Sequence, residues 1–461
     1  MLMIVLDGTV VNVALPSIQS DLGFSQANLA WVVNAYMIAF GGLLLLAGRL
    51  GDLIGAKRVF IVGLVAFTVA SILCGVAWSQ PVLIAARFLQ GIGGALASSV
   101  ILAMIVTMFT QPAERARAMG IFSFTASAGG SVGLLIGGTI TQFLNWHWVF
   151  LINVPIGIAT FFVARKYLDT KKGIGLQDGA DLLGAVLITA CLMLAVYTVV
   201  EVPNFGLTSM HTLVFGATAV VLFIAFIARQ LTASKPLVDL SVFKSRNVSG
   251  SNVLEVLIVA GLFGFFFLDS LYLRRAMGYG PVATGLAFLP ITLSIGAFSL
   301  GWSAQLCARF GALPVVVTGC ALAAAGLLIF AITPLDAAYV TRLMPPMLLM
   351  GIGMGVSFPP LMMFGMSDAT PQNSGLISGV IQTSAQVGGA FGLAILATSA
   401  AARTHGALAA GAKTVAALSA GYHFAFWVAA AFMILATIVA ATVLTPIDFS
   451  NEAQTEDYVA A

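Results

Sequence analysis

Charge is what this sequence has least of. Only 8% of its 461 residues are Asp, Glu, Lys or Arg, and 60% are hydrophobic. A soluble domain carries about 25% charged residues. A chain this poor in charge cannot cover a water-facing surface of its size, so its main solvent is lipid. Short segments of alternating apolar and polar residues are lacking too, which excludes a membrane β-barrel. The four cysteines (Cys74, Cys191, Cys307, Cys320) lie inside apolar runs without a CxxC pair, and the four histidines form no ligand-spaced cluster. Neither a disulfide nor a metal site is expected. No phosphate-binding glycine loop is present, so ATP does not drive this chain. Convergent nucleophiles and bases at membrane depth are missing, so it is not read as an enzyme. Net charge is +3, which says little about partners, and no nucleic-acid partner is expected. No separate signal peptide is evident, because the first apolar run leads straight into the body.

What is there is a series of continuous apolar runs of membrane-spanning length, hence an all-α integral membrane protein. Spans are expected at about 1–16, 27–48, 59–79, 81–109, 118–143, 148–168, 181–202, 209–231, 248–272, 284–307, 314–333, 340–366, 374–400 and 422–445, fourteen in all. Sixteen residues of helix rise only about 24 Å. The first span is therefore short, and residues before Met1 are expected to be missing. Lys and Arg set the orientation. With the N-terminus in the cytoplasm, fourteen of the twenty fall in cytoplasmic loops, five on the opposite side and Arg87 inside a span. Both termini are then cytoplasmic.

Landmarks recur at a nearly constant offset. Gly55-Ala56 returns as Gly311-Ala312, Gly91-Ile92-Gly93 as Gly351-Ile352-Gly353, and Pro112 and Gly120 as Pro371 and Gly379. The expected organisation is a six-helix half at 1–170, an inserted two-helix linker at 171–235, a second six-helix half at 236–447 and a cytoplasmic tail at 448–461. Such repeats mark secondary transporters, with the substrate path between the halves. The second copy lacks the charges of the first, since Arg49 and Asp52 align with Gln305 and Ala308.

Several stretches resemble the major facilitator superfamily, and within it the fourteen-helix drug:proton antiporters of the EmrB/QacA type. They are LDGTVVNVALPSI at 6–18, GRLGDLIGAKR at 48–58, RFLQGIGGA at 87–95, WHWVFLINVPIG at 146–157 and GYGPVATGLAFLP at 278–290. Two positions depart from the branch pattern: Leu134 stands where a proline is usual, and His147 where an arginine is usual. The resemblance implies proton-coupled efflux of amphipathic, lipophilic or cationic small molecules from a bacterial cytoplasmic membrane. No cofactor is needed beyond the proton gradient. A dedicated metabolite or antibiotic exporter and a proton-coupled uptake carrier are the alternatives. A monomer is expected, and an accessory periplasmic partner stays open.

The charged residues inside spans are the candidate working groups. A carboxylate at membrane depth is costly and marks function by default. Asp7 is the sharpest, with Arg87 as its natural partner; Glu255 and Asp269, four turns apart on one span, complete the proton-coupling candidates. Glu255 is placed deep and Asp269 near the outer mouth, beside Arg274 and Arg275. Asn12, Gln90, Gly94 and Ser98 are substrate-path candidates. Arg87, Gln90, Gly94 and Ser98 share one helical face. Gly48, Arg49, Gly51, Asp52, Gly55, Lys57, Arg58 and Arg117 form a candidate cytoplasmic gate. Within it, Asp52 can pair with Arg49, Arg58 or Arg117, or face a helix N-terminus. Gly129, Gly133 and Gly137 repeat at four and are read as a helix-packing face.

Overall fold

The computed structural model describes residues 1–24, 29, 31–109, 111–169, 173–175, 181–206, 208–234, 236–334, 338–370 and 373–446. The side chains of Asn12 and Leu134 and the tail at 448–461 lie outside that description. The long helices are α1 (Leu2–Leu22), α2 (Trp31–Ile54), α3 (Ala56–Gly75), α4 (Gln80–Met108), α5 (Pro112–Phe143), α6 (His147–Tyr167), α7 (Leu182–Phe205) and α8 (Met210–Thr232). They continue as α9 (Arg246–Leu271), α10 (Ala283–Gly301), α11 (Ala312–Ala331), α12 (Met344–Gly365), α13 (Ser374–Ala409) and α14 (Thr414–Val443).

Helices form because hydrocarbon offers no partner for a free backbone N–H or C=O, and a helix satisfies both internally. Helix α3 shows the resulting two faces. Val62, Val65, Val69 and Leu73 are exposed, while Phe67, Ala70 and Cys74 are buried. A row of exposed branched apolar side chains is stable against lipid and not against water.

Among the described residues, twelve helices are long and apolar enough to cross a membrane, not the fourteen expected. The two expected spans outside that count fall on α1 and α5. The short first span is also corrected. Helix α1 runs through Pro16 to Leu22, where Gly23 closes it at φ 68 with its N–H on the Gln19 carbonyl. Its end is tied down: Gln80 Nε2 donates to the carbonyls of Leu22 (3.1 Å) and Gly23 (2.9 Å), and Trp146 Nε1 donates to Asp21 Oδ2 at 2.9 Å. Twenty-one residues rise about 32 Å.

The chain forms two compact units. The first comprises 1–104, 132–242 and 369–383. The second comprises 105–131, 243–368 and 384–461. In the first unit α4 packs on α2 and α3, and the hairpin of α7 and α8 docks on α2. In the second, α12 packs on α10 and α11, and α14 on α9 and α11. The internal repeat is visible as matched close crossings. A Cβ on Gly63 would stand 2.8 Å from the Gly93 carbonyl oxygen, and one on Gly319 2.5 Å from that of Gly353. The α3–α4 crossing thus reappears as α11–α12. Gly55 and Gly311 each open a helix at positive φ, 100° and 85°.

Short irregular turns break the pattern in the second unit. Tyr272–Ala276 after α9 and Tyr339–Leu343 before α12 are π-helical. In the first unit Asp181 caps α7: its carboxylate accepts from the Gly184 N–H (3.0 Å), Arg229 Nε (3.0 Å) and Gln230 Nε2 (3.0 Å). Gln230 in turn accepts the Val238 N–H at 2.9 Å, which fastens the segment leading to α9.

Candidate functional site

Helices α1, α3, α4 and α6 of the first unit converge on one buried polar cluster. Asp7 comes from α1, Ser71 from α3, Arg87 and Gln90 from α4, and Asn153 from α6, and none is more than 1% exposed. Arg87 Nη1 donates to Asp7 Oδ2 at 2.5 Å and to Gln90 Oε1 at 2.7 Å, and its Nε donates to the Val32 carbonyl at 2.8 Å. Asp7 Oδ1 accepts from Gln90 Nε2 (2.7 Å) and Asn153 Nδ2 (2.9 Å). Gln90 Nε2 also reaches Ser71 Oγ at 2.7 Å, and the Cys74 thiol donates to Gln90 Oε1 at 3.6 Å. The guanidinium lies 4.4 Å from the Tyr36 ring centre and 5.7 Å from that of Phe150.

A buried ion pair survives only when its remaining donors and acceptors are satisfied. This one meets that condition through both Asp7 oxygens and two arginine nitrogens. A proton arriving on Asp7 would remove one charge of the pair and one acceptor of the network together.

Asp7 and Arg87 meet directly, and Gln90 joins them. The carboxylate lies fifteen residues from the Leu22 end of α1, about 22 Å by helix rise. That is deeper than an end at Pro16 would place it. Gly94 lets the α2 aromatics approach, since a Cβ there would lie 3.1 Å from the Tyr36 hydroxyl and 3.1 Å from the Phe40 ring. Ser98 is buried, and its hydroxyl has no partner among the described residues.

The charged clasp at 48–58 forms a second arrangement in the first unit. Asp52 Oδ1 accepts the Gly375 N–H at 2.6 Å, and Oδ2 the Leu376 N–H at 2.7 Å. Those are first-turn amides of α13, whose positive dipole end favours a carboxylate. Arg49 stands 3.9 Å away. Of the partners anticipated for Asp52, the helix N-terminus takes both oxygens, whereas Arg58 and Arg117 are exposed. Gly48 makes this approach possible: a Cβ there would lie 2.9 Å from Gly379 Cα and closer still to the Gly375 carbonyl. A Cβ on Gly51 would stand 2.5 Å from the Val100 side chain. Lys57 caps the end of α6, donating to the carbonyls of Leu168 and Arg165. The Ile174 N–H donates to the Asp52 carbonyl at 3.0 Å, so the segment after α6 covers the clasp. Of the packing glycines, Gly129, Gly133 and Gly137 are all buried. A Cβ on Gly133 would strike Thr9, and one on Gly137 would sit 3.0 Å from Val10 Cα.

In the second unit Glu255 and Asp269 do not meet. Both are buried, Glu255 at 5% and Asp269 at 0% exposure. Glu255 Oε2 and both Asp269 oxygens lack hydrogen-bond partners among the described residues. Asp269 is therefore no rim charge beside Arg274, which is exposed.

Ser71, Asn153, Tyr36 and Cys74 were not anticipated at the site. Asn153 carried a usable signal, a lone amide in an otherwise apolar stretch of WHWVFLINVPIG. Ser71 and Cys74 did not, because small hydroxyls and thiols are common inside spans.

The model of the Major Facilitator Superfamily matches residues 1–393. The puromycin resistance protein of Streptomyces alboniger is 36% identical over 99% of this chain and 91% of its own length. The cephamycin export protein of Amycolatopsis lactamdurans is 36% identical over 96% of this chain and 90% of its own length. A multidrug resistance protein of Mycobacterium tuberculosis is 30% identical over 87% of this chain and 74% of its own length. Among solved structures, a proton:xylose symporter superposes with a TM-score of 0.67, covering 97% of this chain and 94% of its own at 13% identity. That similarity concerns the fold alone.

Proposed function

Since the chain belongs to the major facilitator superfamily, we propose that it is a proton-driven exporter of small organic molecules, acting by alternating access. The observation that carries this reading is the Asp7–Arg87 pair, fully buried and shared among four helices. Asp7 is the proton carrier. In its charged form it holds Arg87, Gln90 and Asn153 together. Protonation loosens the pair and shifts the balance between inward-open and outward-open arrangements. Arg87 holds the charged state in place through Oδ2, and Gln90 and Asn153 both fix Oδ1. Asp52 acts as a latch on the first turn of α13, and Gly48 and Gly51 allow the close approach.

Helices α1 and α5 are the thirteenth and fourteenth spans, and the branch is that of the drug:proton antiporters. The excess of Lys and Arg puts both termini in the cytoplasm. The substrate is lipophilic or cationic, and one compound or a narrow set is favoured over a broad range. Support for the narrow range comes from two relatives, a puromycin resistance protein and a cephamycin export protein, each tied to one antibiotic or antibiotic class.

The test is proton release in inside-out membrane vesicles carrying a pH gradient, with antibiotics and lipophilic cations added one at a time. Wild type is compared with Asp7→Asn at matched expression. Substrate-dependent collapse of the gradient in wild type alone is the expected result. Collapse of equal size in Asp7→Asn would remove Asp7 from the coupling step.

A further inference from the structure

The second unit holds an acid whose surroundings are the opposite of those of Asp7. Asp269 sits near the end of α9, fully buried, and neither carboxylate oxygen has a hydrogen-bond partner among the described residues. One turn on, Tyr272 begins the π-helical segment, and its hydroxyl is also buried and without a partner. Its ring lies 5.5 Å from that of His423, whose Nε2 is a further buried atom lacking a partner. Four orphaned polar atoms thus belong to three residues at one end of this unit. A native structure leaves few such atoms, and each one calls for a physical reason. Local π-helix is itself frequent where a helix carries function.

Among the described residues, no lysine or arginine forms an ion pair or hydrogen bond with Asp269. Helix α14 places Tyr422 and His423 against the Tyr272 ring, one turn from Asp269. The π-turn before α12 contributes Tyr339, whose hydroxyl donates to the Ala287 carbonyl at 2.7 Å. Tyr339 lies within electrostatic reach of both Asp269 and Tyr279. Arg274 and Arg342 are exposed. Glu255 is fourteen residues back along α9, about 21 Å by helix rise. A bare carboxylate with no donor is costly in such a place, whereas the neutral acid is tolerated. The surroundings are also closed to a larger guest. The rings of Phe265, Phe330 and Phe426 pack with centres 5.1 to 5.7 Å apart, and the Tyr272 ring stands 6.0 Å from Phe426. A proton fits where an organic cation does not.

We infer that Asp269 is a second proton-carrying site, separate from Asp7, which holds its proton in this conformation and exchanges it when the aromatic shell at Tyr272 opens. The inference rests on the transport reading above. The step is proton transfer alone. The O–H bond of Asp269 breaks, the proton passes to water admitted at the Tyr272 end, and the carboxylate later takes one back. The two acids would then work in opposite senses, Asp7 resting charged and paired and Asp269 resting neutral and unpaired.

The experiment is dicyclohexylcarbodiimide labelling of the full chain reconstituted in liposomes, read by peptide mass spectrometry. This reagent adds to protonated carboxyls in apolar surroundings, and it reaches Asp269 only through the opening at Tyr272 that the inference requires, so labelling reports the proton and the opening together. Modification of Asp269 with Asp7 unmodified is expected. Absence of label on Asp269 across acid and alkaline pH would overturn the inference. In parallel, Asp269→Asn, an uncharged isostere, is expected to unfold at the wild-type temperature and to lose substrate-driven proton release. Wild-type proton release by a well-folded Asp269→Asn would also overturn it. If that variant fails to fold, the labelling of wild type still decides. If wild type releases no protons with any compound, the antiport reading fails, and the labelling reports on Asp269 independently.

Discussion

At Asp7, one side chain takes part in an ion pair and in hydrogen bonds to two other helices, α4 and α6. Asp7→Asn leaves Arg87 charged and buried with its acidic partner gone. Loss of one partner from a buried pair costs about 3–5 kcal/mol. Thermal unfolding in detergent should show that loss, and the double variant Asp7→Asn with Arg87→Gln should recover part of it, because no unpaired charge remains. Asp181 provides a different test, at the edge of the membrane. Burial pushes its carboxyl up, but the Gly184 N–H, Gln230 and Arg229 outweigh burial and hold it below the usual carboxylate range. A carboxyl lowered in the folded state stabilises the fold above the unfolded value of about 3.9. That contribution disappears as pH falls through the folded value. Unfolding temperature should therefore drop on acidification below about pH 4. The Asp181-dependent part of the drop should be absent in Asp181→Asn.

Helices here meet through glycine, and the consequence of adding a methyl group depends on what faces it. Gly48→Ala drives a Cβ into the backbone of α13 at Gly375 and Gly379. Overpacking of this kind costs about 1–3 kcal/mol. Nothing lies within 4 Å of a Cβ on Gly8. Gly8→Ala should be neutral or raise stability by up to about 1 kcal/mol through helix propensity. Comparing the unfolding temperatures of the two variants separates crowding at the clasp from a general effect of replacing glycine. Gly63 and Gly93 of the α3–α4 crossing should respond as Gly319 and Gly353 of the α11–α12 crossing do, because their surroundings match.

For the molecule as a whole, the testable statement is its orientation. Thr208→Cys lies between α7 and α8, and Ser234→Cys follows α8. In a background without the four native cysteines, a membrane-impermeant maleimide added to intact cells should label the first and reach the second only after permeabilisation. The reverse pattern would invert the topology inferred from Lys and Arg. Glycines matched at an offset near 256 pointed to two related six-helix halves. The compact units group the residues differently: 369–383 cluster with the first and 105–131 with the second. Offsets report ancestry of sequence, while compactness reports which stretches of backbone lie close together.

The amino-acid sequence alone determined the solvent, the helical class, the family and the identity of Asp7 and Arg87. A shortage of charge cannot be compensated in water, and a charge inside an apolar run stands out. The pairing of those two residues was also foreseeable, because a buried acid and a buried base in apolar runs are each other's natural partners. Only the tertiary structure decided that Ser71 and Asn153 complete the cluster: a serine is unremarkable within a span, and the lone amide of Asn153 marks a polar site without naming its partners. It decided the partner of Asp52 as well. Backbone N–H groups occur at every residue, so a helix N-terminus leaves no mark in composition that singles it out over Arg58 or Arg117. The end of α1 likewise depended on Gly23 adopting positive φ and on the ties from Gln80 and Trp146, residues distant in the chain. The contrast between Asp7 and Asp269 lies at the same level. Both are single acids in apolar runs, and only packing shows that one has three neighbouring donors and the other none.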